Sequence, residues 1–168
     1  MNSLFSQIES AFAKRPHPGD ENITHCSYET KNGGTLDGPC WECEEMSNFF
    51  RRKSWGMLHG LELRRYGDND TLFTVKAYCY FLPSYLTASL RERKDLDDCV
   101  DHLTYRFGVK TDDNRGGERL RSLFNELSRS ELGAVLAYFR YVLSRDGNWG
   151  GFCARAIENI EQELSKTP

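Results

Sequence analysis

No apolar run in this 168-residue chain approaches the roughly twenty residues that a membrane-spanning helix requires; the longest, Ala77 to Leu82, stops at Pro83. The N-terminal stretch from Met1 to Lys14 lacks the basic-then-apolar layout of an export signal, and Leu4/Phe5, Ile8 and Ala11/Phe12 recur there at helical spacing instead. The expectation is a cytoplasmic chain that opens on a docked amphipathic helix. An excess of positive charge is also missing. With 22 basic against 25 acidic residues, a formal net of −3, nothing draws the chain over long range to nucleic acid or to an anionic membrane, and neither is an expected partner.

Catalytic signatures are absent as well. There is no His-Glu-x-x-His, no Gly-x-Ser-x-Gly and no Gly-x4-Gly-Lys-Ser/Thr, so zinc-protease, serine-hydrolase and phosphate-cradling chemistries have no recognisable carrier. Asp68-x-Asp70 and Asp95-x-Asp97-Asp98 lack the glycine and distal glutamate of a calcium loop. His59 and His102 have no nucleophile beside them in sequence and read as helix-face or capping residues. Gly116-Gly117 and Gly150-Gly151 read as turns. No repeat or low-complexity tract is present.

What the chain does have is 39% hydrophobic and 12% aromatic content, enough for one core and one domain over 1–168. Arg15-Pro16-His17-Pro18-Gly19-Asp20 forbids helix continuation, and residues 15–38 read as a long irregular connection. A helix follows, with Asp37 or Gly38 as cap, Pro39 in the first turn, Glu42, Glu44 and Glu45 at its positive end and Arg51, Arg52 and Lys53 at its negative end. Cys43, Met46 and Phe50, with Phe49 beside them, form its buried stripe, and Trp55 closes the segment. A weaker helical pattern spans 56–65, while 71–82 fits either a strand or a buried helix, and Pro83 is expected to open the next helix. Ser128-x-x-Glu131 is a capping box ahead of Leu132, Val135/Leu136, Phe139 and Val142/Leu143. A last helix from about Gly151 presents Phe152/Cys153, Ala156/Ile157, Ile160 and Leu164. The expected fold is mainly α: an irregular single-domain bundle of about six to seven helices, with a short strand or hairpin at 71–82 or 100–110 as the variant.

Two groups of residues carry candidate chemistry. Residues 95–113 hold six aspartates, Asp95, Asp97, Asp98, Asp101, Asp112 and Asp113, against Arg106 and Lys110, making this the acidic part of the molecule. Complementary charge there would speed docking of a basic partner. The second group is Cys40-x-x-Cys43 with His25 and Cys26 upstream, a fallback ligand set for a structural zinc, although adjacent His25 and Cys26 reach one metal with difficulty. Otherwise the six cysteines are expected to be reduced thiols, with Cys79, Cys99 and Cys153 as small core residues.

Four segments in order resemble a family of small bacterial proteins of unknown function: Pro18-Gly19-Asp20-Glu21-Asn22-Ile23; Cys43-Glu44-Glu45-x3-Phe49-x5-Trp55; Tyr80-Phe81-Leu82-Pro83-Ser84-Tyr85-Leu86-x-Ala88-Ser89-Leu90; and Leu127-Ser128-x2-Glu131-x2-Ala134-Val135-x2-Tyr138-Phe139-x-Tyr141-Val142. The resemblance covers roughly residues 15 to 145 and implies a mainly helical cytoplasmic domain; it carries no catalytic residue across. In size and character such proteins are similar to the immunity proteins made beside secreted toxins, an analogy rather than an inherited role. The functional expectation is therefore a non-catalytic protein whose partner is another protein, a cognate toxin being the leading case. A zinc module on His25, Cys26, Cys40 and Cys43, or an enzyme with an unrecognised site, is the alternative.

Overall fold

Leu4, Ile8 and Phe12 stand four residues apart, a spacing that lines one side of a helix, and all three are buried. The computed structural model describes residues 2–25, 40–66, 72–91, 97–112, 114–145 and 150–166. Among these residues the protein is all-α, with helices α1 (Asn2–Phe12), α2 (Trp41–Phe50), α3 (Gly60–Arg65), α4 (Val75–Arg91), α5 (Asp97–Gly108), α6 (Asn114–Glu126), α7 (Arg129–Arg145) and α8 (Gly150–Ser165). Short 3₁₀ turns cover Asp20–Asn22 and Trp55–Met57. No described helix is long and apolar enough to cross a membrane.

α1 packs against α4 and α7, α8 packs against α5 and α7, and α6 packs against α4. A cluster of buried apolar residues runs through these contacts. Phe50, Phe73 and Phe81 sit at its α2–α4 side with centroids 4.8 to 5.6 Å apart. Cys79, Cys99 and Cys153 are buried, as their apolar neighbours in sequence predict.

Of the two readings of 71–82 the structure bears out the buried helix, from Val75 onward, and it corrects the expectation for Pro83, which does not open a helix. α4 runs unbroken from Val75 to Arg91 with Pro83 inside it, and neither 71–82 nor 100–110 forms a strand or hairpin among the described residues. The one extended pairing among them is an isolated bridge between Thr24 and Phe73. Thr74 starts α4, its Oγ1 accepting the Ala77 N–H at 3.1 Å while donating to the Asn22 carbonyl at 2.5 Å. Proline inside a helix removes one hydrogen bond and crowds the carbonyl four residues back. Burial offsets that cost here, because every residue from Ala77 to Leu86 is buried. A helix buried on all sides shows no 3.6-residue stripe, which is why periodicity did not reveal it.

Other boundaries shift for local reasons. Cys40, rather than Asp37 or Gly38, stands at the N-cap of α2. Gly116 and Gly117 lie in the first turn of α6 and Gly150 and Gly151 in that of α8, so neither pair is a turn. The 56–65 pattern divides at Leu58 and His59, and His59 caps α3 in a reciprocal arrangement in which its backbone N–H donates to Glu62 Oε2 at 3.2 Å. The described part of the long connection, residues 15–25, is a built corner. Gly19 has φ +92°, the Asn22 side chain donates to the Pro18 carbonyl at 3.0 Å, and Asp20 Oδ1 accepts the Arg52 N–H at 3.2 Å where α2 ends. A side chain at Gly19 would both strain the backbone and meet the Glu21 carboxylate at 2.6 Å.

Candidate functional site

α5 has two unlike faces. Cys99, Val100, Leu103, Thr104 and Phe107 are buried, whereas Asp101 and Tyr105, one helical turn apart, are exposed. Tyr105 is 58% exposed and packs its ring 5.5 Å from that of Phe152 in the first turn of α8, itself 46% exposed. An exposed pair of aromatic rings in mutual, tilted contact is unusual on a protein that buries most of its other described rings.

The backbone beneath this pair is held tightly. Asn159 of α8 donates from Nδ2 to the carbonyls of Phe107 at 2.8 Å and Val109 at 3.0 Å, and Arg155 Nη1 donates to the Gly108 carbonyl at 3.3 Å. These are carbonyls at the C-terminal end of α5, which lack helical partners and favour a cation or an amide donor. A Cβ at Gly108 would stand 2.3 Å from the Phe152 carbonyl oxygen, so only glycine permits the crossing of α5 and α8. Tyr105 and Phe152 therefore ride on two helices whose mutual position is fixed.

Of the aspartates singled out in the sequence, Asp101 is exposed on α5 and Asp112 is exposed in the turn that follows it. Asp97 and Asp98 occupy the first turn of α5, where acidic residues complement the helix dipole; Asp97 stands one turn before Asp101 in register, and both side chains lie outside the described set. Asp95 and Asp113 lie outside the described residues. Sequence reasoning did not single out Tyr105 and placed Phe152 on an apolar stripe. The missed signal was the offset: the core uses Leu103 and Phe107 on α5 and Cys153, Ala156 and Ile160 on α8, which leaves Tyr105 and Phe152 off both stripes.

The zinc fallback set is partly brought together. Cys43, buried in α2, donates from Sγ to the His25 carbonyl at 3.8 Å, and Cys40 stands half-buried at the N-cap of the same turn. Thr24 Oγ1 donates to the Cys43 carbonyl at 3.3 Å, holding the 24–25 segment along α2. His25 lines a separate recess with Phe73, Val75, Glu118 and Ser122, and Cys26 lies outside the described residues. Among the described residues no three or more His, Cys, Asp or Glu side chains are grouped to hold a metal ion.

A third cluster is structural. The Ser128–Glu131 capping box is present, with the Ser128 N–H donating to Glu131 Oε2 at 2.7 Å and the Glu131 N–H to Ser128 Oγ at 3.3 Å. Arg15 completes it from the other end of the chain. It donates from Nε and Nη2 to the two oxygens of Glu131 at 2.6 and 2.8 Å, and also to the Glu126 carboxylate at 3.1 Å and backbone carbonyl at 2.7 Å. The Arg15 and Glu131 side chains are 8% and 5% exposed. Burial pushes the Glu131 carboxyl up, but hydrogen bonds from Arg15 and Ser128 outweigh it and hold the group below its ordinary range. Burial likewise pushes the nearby Cys79 thiol up to about 12, so that it carries no thiolate at neutral pH. An open recess of about 620 Å³ borders this cluster, yet the Arg15 donors that face it are already spent on carboxylates and a carbonyl. The arrangement holds helices together and offers no poised base or nucleophile.

No family model, curated protein or solved structure matches this chain.

Proposed function

We propose that this chain is a cytoplasmic binding protein without catalysis, one that occupies and blocks a basic protein partner such as a toxin, and that it docks through the acidic outer face of α5. The contacting set is Asp97, Asp98 and Asp101 on the helix, with Asp95, Asp112 and Asp113 flanking it. The observation that supports this most is the division of α5 itself: its apolar residues enter the core while Asp101 faces solvent, so the exposed carboxylate has no part in the core packing of the helix. Complementary charge of this kind raises the encounter rate and rejects partners of the wrong sign. The paired carboxylate of Glu131 and the un-ionised Cys79 thiol are consistent with a role that needs no proton transfer or nucleophile. Affinity capture from the native host tests the proposal, followed by replacement of Asp97, Asp98 and Asp101 with asparagine. A specific protein partner whose association slows and weakens in the neutralised variant is the expected result; unchanged binding by that variant counts against it.

One contact favours a second reading, a zinc-stabilised module. The His25 backbone carbonyl accepts the Cys43 thiol at 3.8 Å, which sets His25 beside the Cys-x-x-Cys turn. Cys26, Cys40 and Cys43, with His25, would be the ligands as thiolates and a neutral imidazole. Metal analysis of untagged protein decides it: less than about half an equivalent of zinc, with melting unchanged by chelator, removes this reading.

A further inference from the structure

We infer that Cys40 and Cys43 are a reversible dithiol–disulfide pair, oxidised by exchange with a low-molecular-weight disulfide such as glutathione disulfide. The inference does not rest on the docking role of α5. It assigns redox chemistry to the turn that the zinc reading also uses, and the two readings differ in what a chelator does.

Three observations carry it. The first is placement. Cys40 is the N-cap of α2 and Cys43 the third residue of the helix, and the Glu44 N–H closes the turn by donating to the Cys40 carbonyl at 3.0 Å. Helix geometry sets Cα atoms three residues apart at about 5 Å, inside the separation that a disulfide bridges without moving the backbone. An N-cap side chain folds back over the third helical residue, where Cys43 stands, and Cys40 makes no side-chain cap hydrogen bond that oxidation would have to break. The second is access. Among the five described cysteines Cys40 alone is not buried, whereas Cys43 is 4% exposed. An incoming disulfide reaches Cys40 first, and Cys43 is reached from Cys40, the order that an attacking and a resolving thiol require. The third is contrast. Cys79, Cys99 and Cys153 are all buried, burial pushes the Cys79 thiol up to about 12 and the Cys153 thiol upward as well, and none has a second cysteine three residues away. The first-turn amides of α2 favour negative charge at its start, while Glu42 and Glu44 oppose it and Glu45 is paired with Arg65. Those carboxylates slow attack by Cys40, which fits a pair that is itself oxidised and reduced and not an oxidoreductase that turns over.

In the exchange the Cys40 thiolate attacks one sulfur of glutathione disulfide, breaking its S–S bond and releasing one glutathione thiolate. Cys43, deprotonated, then attacks the Cys40 sulfur of the mixed disulfide and releases the second. Two protein thiols are oxidised, one disulfide is reduced, and the two protons pass to the released glutathiones. The Cys43 thiol now donates to the His25 carbonyl at 3.8 Å, and the disulfide has no proton to give it, so oxidation removes one tie between the 24–25 segment and α2. Thr24 keeps its own, from Oγ1 to the Cys43 carbonyl at 3.3 Å.

The test incubates purified full-length protein, with and without a chelator, in mixtures of reduced and oxidised glutathione, alkylates the remaining thiols and maps them by mass. The expected result is the loss of two alkylatable thiols per chain, both in the Cys40–Cys43 peptide, in either condition and reversed by dithiothreitol. Cys43→Ala is expected to stop at the mixed disulfide, with one glutathione retained on Cys40; the mapping on the natural protein decides even where that variant does not fold. Exchange that occurs only after the chelator has removed bound zinc overturns the inference and leaves the zinc module standing. Cys40 and Cys43 both still alkylated in the most oxidising mixture overturns it. So does a glutathione retained on Cys40 of the natural protein, or a bridge from either residue to another cysteine.

Discussion

The corner where α6 meets α7 and the face where α5 meets α8 both carry carboxylates, and they use them in opposite ways. At the corner, Glu131 is buried, doubly bonded to Arg15 and tied to Ser128, and its charge joins the N-terminal connection to two helices far away in sequence. On the face, Asp101 is exposed, and neutral amide and guanidinium donors from α8 do the joining instead. A buried charge with removed partners is costly, whereas an exposed one is almost free to change. The same residue chemistry is therefore enclosed in the packing in one place and open to solvent in the other.

The contrast is broken most sharply by Glu131→Ala, which strands the buried Arg15 with only Glu126 opposite it and is expected to cost about 3–5 kcal/mol of unfolding free energy, read by denaturant titration. Acid tests the same pair without mutation. The Glu131 carboxyl titrates below its ordinary value of 4.5 in the folded protein, so its contribution is complete above that pH and is lost as pH falls through the lower, folded value. Stability of the natural sequence should fall across that acid window more steeply than stability of Glu131→Ala; parallel slopes would show that the pair does not govern it. At the neighbouring corner, Gly19→Ala forces a non-glycine residue to φ +92° and toward the Glu21 carboxylate, with an expected loss of about 1–3 kcal/mol in the same titration. Smallest of all, Asp101→Asn and Tyr105→Ala should change stability by no more than about 0.5 kcal/mol, because neither side chain is buried.

The parts of the fold legible in the sequence are those set by contacts within a few residues. The Ser128–Glu131 box and the α1 stripe follow from spacings of three or four, and His59, read as a helix-face or capping residue, caps α3. Arg15 as the third member of the box was not legible, because it reaches Glu131 across 116 positions and nothing in the local pattern of Arg15-Pro16 points there. α4 was obscured for the opposite reason, being so thoroughly buried that its apolar residues left no periodic gap. The Pro18 to Ile23 motif, which carried part of the family resemblance, turns out to be a joint: Gly19 supplies the turn, Asp20 receives the end of α2, and Asn22 receives Thr74 at the start of α4. Of the candidate site, the acidic character of 95–113 was evident from composition, but the aromatic pair was not, since Tyr105 and Phe152 meet only when α5 is laid on α8.

The central proposal is that the outer face of α5 serves recognition and not folding. Its most direct test is to titrate the protein captured from the native host calorimetrically into the natural chain and into Asp101→Asn while measuring the unfolding free energy of each in the same buffer. The proposal predicts that affinity falls in the variant while stability stays within about 0.5 kcal/mol of the natural protein. Affinity left intact, or lost only in proportion to a loss of stability, would contradict it.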